Sequence, residues 1–105
     1  MEHVGQNILI QMKQIAPVYL MSWGSHAYKT FKDNQLPTLN PHMGGLIFRV
    51  NGRKHKGNVI VSLQPNDLYH IYLGQLRKGE MKIKQEIGDV YVEDLMTTLD
   101  ELVET

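Results

Sequence analysis

Residues 46–63 read LIFRVNGRKHKGNVIVSL, in which Leu46, Phe48 and Val50 alternate with Ile47 and Arg49, and Val59, Val61 and Leu63 alternate with Ile60 and Ser62. Side chains two apart share one face of a strand, so each half predicts a strand and the two together a hairpin. Two registers compete. Asn51-Gly52 is a strong signal for a two-residue type I′ turn, but that turn sets Phe48 opposite His55 and Leu46 opposite Gly57. A wider loop over Gly52 to Gly57 sets Val50 opposite Val59, Phe48 opposite Val61 and Leu46 opposite Leu63. One face then stays apolar along its length, and because a slip would expose it, the wider loop is expected.

Outward from the hairpin, Gln64 to Asp67 holds Pro65 and Asn66 and predicts a turn. Leu68 to Leu73 follows as a strand with Tyr69, Ile71 and Leu73 on one side and Leu68, His70 and Tyr72 on the other. Arg77 to Glu80 turns the chain again. Met81, Ile83, Gln85 and Ile87 alternate with Lys82, Lys84 and Glu86, a strand with one wet face and so at or near an edge. Upstream, Val18 to Trp23 reads as a strand, Gly24-Ser25 as a bulge or turn, and Tyr28 to Phe31 as a further extended stretch. Residues 32–45 (KDNQLPTLNPHMGG) collect Pro, Gly, Asn and Asp and predict a long loop, of a length that is uncommon in compact domains.

Helices flank this run of strands. Val4, Ile8, Met12 and Ile15 are spaced for one helical face that ends before Pro17; alternation of Ile8, Ile10 and Met12 offers a strand as the competing reading, and helix is preferred. After Gly88, the residues Val92, Leu95, Met96, Leu99, Leu102 and Val103 form the cleanest helical stripe in the chain, with Asp89 as the expected N-cap. The expected fold is therefore α+β: an antiparallel sheet of four or five strands with an N-terminal and a C-terminal helix packed on it, in a single domain over residues 1–105.

With Gly counted and Tyr left out, 48 of the 105 residues are apolar, inside the range of roughly 45–50% for ordinary globular domains, and 21% are charged. No cysteine is present, which excludes disulfides, Cys-ligated metal sites and a thiol nucleophile. No membrane span or signal peptide pattern is visible, so a cytoplasmic setting is expected. Net charge is zero only as a sum. Residues 1–88 hold all 11 basic side chains and five acidic ones, a net +6, while residues 89–105 carry −6. Separated charge of this kind steers partners, pairs protomers or lies solvated on opposite sides of one fold.

Catalytic signatures are missing. There is no G-x-G-x-x-G, P-loop, G-x-S-x-G or H-E-x-x-H. His3, His26, His42, His55 and His70 are dispersed, without the close spacing of a metal pair. No catalytic residue, metal or cofactor is therefore expected, and no enzyme. Arg53, Lys54, His55 and Lys56, between two glycines, form a basic tip suited to phosphates, to which Arg49 and Arg77-Lys78 add; a plain solvated tip is the simpler reading. The aromatic residues sit on opposite faces and suit core packing better than a stacking platform.

Two functions follow as expectations. The first is a non-enzymatic protein-interaction module that pairs with itself as a homodimer or with another protein, because Ile47, Ile60, Leu68 and Tyr72 lie on a second sheet face that few helices remain to cover. The alternative is a nucleic-acid-binding accessory protein using Arg53, Lys54, His55 and Lys56. In its small size, missing catalytic motifs and split charge the chain is similar, in general terms only, to accessory proteins of phage and mobile elements. No membrane partner is expected.

Overall fold

A computed structural model describes residues 4–15, 23–31 and 44–104 of the chain. Helix α1 spans Val4–Ile15, and strands β1 to β5 span His26–Phe31, Gly45–Asn51, Lys56–Leu63, Tyr69–Arg77 and Glu80–Val90. A turn of 3-10 helix, Val92–Asp94, leads into α2, Leu95–Val103. The strands form one antiparallel sheet in the order β1-β2-β3-β4-β5, with β1 and β5 at its edges. This is the expected α+β layout, with five strands.

Alternation assigns the faces. Leu46, Phe48, Val50, Val59, Val61, Tyr69, Ile71 and Leu73 form one buried cluster with Ile8 and Met12 of α1, Leu95, Met96, Leu99 and Val103 of α2, and Trp23. Both helices thus cover the same face, as their apolar stripes require. The reverse face holds a smaller cluster of Phe31, Ile60 and Tyr72, with Ile47 packed against it. Ile60 and Tyr72 are each only 2% exposed. A single chain already closes the face at these two positions, so their burial does not call for a second copy.

Several local expectations are corrected. In the β2–β3 hairpin Phe48 pairs with Val59, Leu46 with Val61 and Val50 with Gly57, two residues away from the expected register. An even slip keeps the same face toward the core, which is why the pattern did not distinguish the two. The loop is 52–55, closed by the Gly52 N–H donating to the His55 carbonyl at 3.0 Å. Asp89 does not cap α2. It lies within β5 at φ 56°, and Asp94 occupies the N-cap position without a side-chain hydrogen bond. Val92 leaves the buried stripe and is 40% exposed, because three residues per turn in the 3-10 segment rotate it off the helical face.

On β5 the simple alternation fails as well. Register shifts pair Gln85 with Leu73 but Ile83 with Gly74, so these two residues face opposite ways and Ile83 is 38% exposed. The bulge near the start of β1 is at Ala27, φ 57°, and Trp23-Gly24 form a turn. Of the expected strand over residues 18–23 only Trp23 is described, and it lies in the turn; of the expected loop over residues 32–45 only Gly44 and Gly45 are described, and Gly45 already begins β2.

Candidate functional site

The basic hairpin loop is not a free tip. The backbone N–H groups of Lys54 and His55 both donate to the carbonyl of Val103, at 2.8 and 3.3 Å, and the Lys54 ammonium donates to the Glu101 carbonyl at 3.1 Å. A helix ends with carbonyls that have no partner in the helix itself, and here the loop supplies donors from some fifty residues away. Positive charge at this end also complements the helix dipole. Gly52 lies so close to Val103 that a Cβ on it would overlap both the side chain and the carbonyl of that residue.

Of the four residues read as nucleic-acid contacts, Lys54 is therefore engaged with α2. His55 is buried, its Nε2 donating to the Asn58 carbonyl at 3.0 Å, which corrects the view of it as an outward-facing contact. Arg53 lies 3.9 Å from Glu104 but is 87% exposed, and a pair that open contributes little. Lys56 begins β3, is paired with Asn51 of β2, and lines clefts both with Arg49 and beside α2.

The same end of α2 holds Trp23. Its buried indole N–H donates to Asp100 Oδ1 at 3.0 Å, and its carbonyl accepts from the Asn51 N–H at 2.7 Å. Asp100 is thus a structural acceptor as well as part of the acidic segment. Asp100→Ala is expected to cost about 1–2 kcal/mol by removing a charged acceptor from a buried donor, while Glu101→Gln, which keeps the carbonyl bonded to Lys54, should change stability by less than about 0.5 kcal/mol. Urea melts of the two variants measure both.

On the reverse face, the register brings His26, Arg49, Asn58 and Gly74 into one row across β1 to β4, with Asn51 paired to Lys56 in the next. A cleft of about 360 Å³ is lined by His26, Arg49, Asn51, Lys56, Asn58 and Gln75 among others. Among the described residues no carboxylate lines it. His26 Nδ1 donates to the Gly24 carbonyl at 2.8 Å, which fixes the ring orientation. Gln75 Nε2 donates to the Lys56 carbonyl at 3.1 Å and ties the β4 side of the cleft to β3. A guanidinium and an ammonium with neighbouring amides form a donor-rich concavity that suits an oxyanion.

Sequence reasoning included Lys56 and added Arg49, but missed His26, Asn51, Asn58 and Gln75. One signal was present: Arg49 is the only charge in the run LIFRV, in a hairpin whose neighbours are buried. The others are ordinary polar residues until strand pairing brings them together.

A separate polar cluster lies at the opposite end of the strands. His70 Nδ1 donates to Gln64 Oε1 at 3.0 Å, the ring stacks on Tyr72 at 4.4 Å, and Nε2 lies 3.6 Å from Glu86. His26 and His70 thus sit at opposite ends of the reverse face, and His42 is outside the described residues. Among the described residues no three potential ligands converge on a metal position.

In that cluster the side-chain amides of Gln64 and Asn66 donate to Asp89 Oδ1 at 3.0 and 3.4 Å. First the Gln64 bond and then the Asn66 bond hold the Asp89 carboxyl below the ordinary aspartate value. A depressed carboxyl pKa favours the folded state above the unfolded-state value, and that contribution disappears as pH falls through the folded-state value. Carboxyl-carbon NMR should therefore show Asp89 titrating below an ordinary aspartate, and Gln64→Ala should raise its midpoint toward the ordinary value. An unmoved midpoint would contradict this assignment.

No protein-family model matches the chain, and no curated protein or solved structure is similar to it.

Proposed function

We propose that the chain is a non-enzymatic binding module for nucleic acid, which it grips through phosphate groups in the cleft of His26, Arg49 and Lys56. The observation that carries this reading is the composition of that cleft: basic side chains and amides converge around about 360 Å³ with no carboxylate among the described lining residues. Phosphate is the oxyanion for which Arg and Lys side chains with neighbouring amide donors are suited. Engagement of the Lys54 ammonium and of the Lys54 and His55 backbone N–H groups with α2 moves the expected contact from the loop tip to the sheet face. A cytoplasmic setting accompanies this proposal.

Self-pairing has less support. The face that motivated a homodimer is already closed at Ile60 and Tyr72 within one chain.

Binding to mixed single-stranded DNA and RNA should weaken linearly as log salt rises, because each phosphate contact releases counterions. Replacing Arg49 and Lys56 together with Ser is expected to lower affinity and to flatten the salt slope by about 1.4 for a single strand, the loss of two phosphate contacts. Arg53→Ser, outside the cleft, should leave the slope close to wild type. No retention of the wild-type chain at low salt, or an unchanged slope in the double variant, would reject the reading.

A further inference from the structure

His26 begins β1 and is paired directly with Arg49 of β2, which is paired in turn with Asn58 of β3. Side chains of directly paired residues share a face, with Cβ atoms about 5 Å apart, so imidazole and guanidinium are neighbours in the cleft they both line. The Gly24 carbonyl only accepts hydrogen bonds, so the Nδ1 that lies 2.8 Å from it carries a hydrogen whatever the charge of the ring. Nε2 is the ring nitrogen left to offer to a ligand. In the neutral ring it holds a bare lone pair, which repels a phosphate oxygen. With a proton it becomes a donor, and the ring becomes a third cation beside Arg49 and Lys56.

The charges around this ring are basic. Arg49 faces it from β2 and Lys56 from the start of β3, while Lys29, paired with Ile47, lies further along β1 on the same face. The helices pack on the other face, where Lys13 of α1 lies 5.8 Å from the Tyr28 ring centroid and Asp100 of α2 accepts from Trp23. With no carboxylate among the described lining residues, nothing in the cleft itself compensates a third positive charge. A bound phosphate does. We propose that the cleft takes up phosphate and a proton together: His26 Nε2 is protonated as phosphate enters and donates to it, so the hold on nucleic acid tightens as pH falls through the range in which histidine titrates. The inference rests on the phosphate-binding reading above and adds its regulation. Linkage makes the effect reciprocal, since a proton that strengthens phosphate binding is itself held more strongly while phosphate is bound. His26 is exposed, so solvent supplies and removes the proton without opening the fold.

The test measures binding of a fluorescently labelled single strand of thymidines, without terminal phosphates, to the full chain at fixed salt from about pH 5.5 to 8. Neither the bases nor the internal phosphates of this probe titrate in that range, so a change in affinity belongs to the protein. Affinity is expected to fall roughly tenfold from the acid to the alkaline end, about the effect of one charge-assisted hydrogen bond. Calorimetry near the middle of the range, in buffers of different ionisation enthalpy, should show protons taken up on binding, to a limit of about one per chain. His26→Gln keeps a side-chain amide able to donate to the Gly24 carbonyl, and an unchanged melting curve verifies its fold. This variant should bind at every pH as wild type does at the alkaline end, without proton uptake. Wild-type affinity independent of pH, binding without proton uptake, or a pH dependence undiminished in His26→Gln overturns the proton-coupled inference and leaves phosphate binding standing. No binding of the strand at any pH rejects both.

Discussion

Gly45→Ala is expected to destabilise the protein by about 3 kcal/mol or more, at or above the upper end of ordinary overpacking. Gly45 begins β2 and pairs with Ser62 on one side and Phe31 on the other. A Cβ there would overlap the carbonyl oxygen of Val61, stand 2.5 Å from Phe31 Cζ and 2.9 Å from Ser62 Cα. Two of these neighbours are backbone atoms of a central strand, which cannot move without breaking the β2–β3 ladder. A ring that packs over a strand glycine covers backbone that has no side chain of its own, and Phe31 occupies this position. The clash therefore has two parts, and only one is a side chain. Adding Phe31→Leu to Gly45→Ala should recover little stability, because the backbone overlap remains. A urea midpoint for Gly45→Ala within about 0.5 kcal/mol of wild type, or full recovery in the double variant, would contradict the close approach.

Leu99→Ala is expected to cost about 2–5 kcal/mol, the range for removing a buried leucine and leaving a cavity. Leu99 is fully buried in the cluster shared by α2 and the sheet, together with Leu95, Met96 and Val103. Domains of this size have only about 5–15 kcal/mol of total stability, so the variant should be measurably unfolded at moderate urea. The comparison with charge is informative. The acidic segment meets the basic loop through Arg53–Glu104, an exposed contact, and through hydrogen bonds to the carbonyls of Glu101 and Val103. Packing, not ion pairing, then holds α2 in place, and Leu99→Ala should cost more than Asp100→Ala or Arg53→Ser at low and high salt alike. An Arg53→Ser loss that exceeded that of Leu99→Ala and shrank in salt would assign the helix to electrostatics instead.

Much of the fold was legible in the residues. Alternation in 46–50 and 59–63 identified β2, β3 and their core face; the same alternation identified β4, and the stripe through Leu95, Met96, Leu99 and Val103 identified α2. These patterns are local, since side-chain direction repeats every two residues in a strand and every 3.6 in a helix. Where local geometry is broken by a bulge, the pattern misled: Asp89 and Ile83 belong to an irregular β5, and Val92 to a 3-10 turn. The site was barely legible. Lys56 and Arg49 stood out as charges, whereas Asn58 and Gln75 acquire meaning only as neighbours of those charges.

The sequence by itself determined the order of helix, strands and helix and the core faces of β2, β3, β4 and both helices, because burial of apolar side chains at the correct period is a property of neighbours along the chain. Tertiary structure decided the hairpin register, the use of the basic loop and the location of the cleft. An even slip of β2 against β3 leaves the core face unchanged, so the apolar pattern does not select among such registers. The observed register is the one in which the 52–55 loop donates to the Val103 carbonyl. The cleft in turn requires β1, β2, β3 and β4 to align His26, Arg49, Lys56 and Gln75, a coincidence of four strands that no segment of the sequence specifies alone.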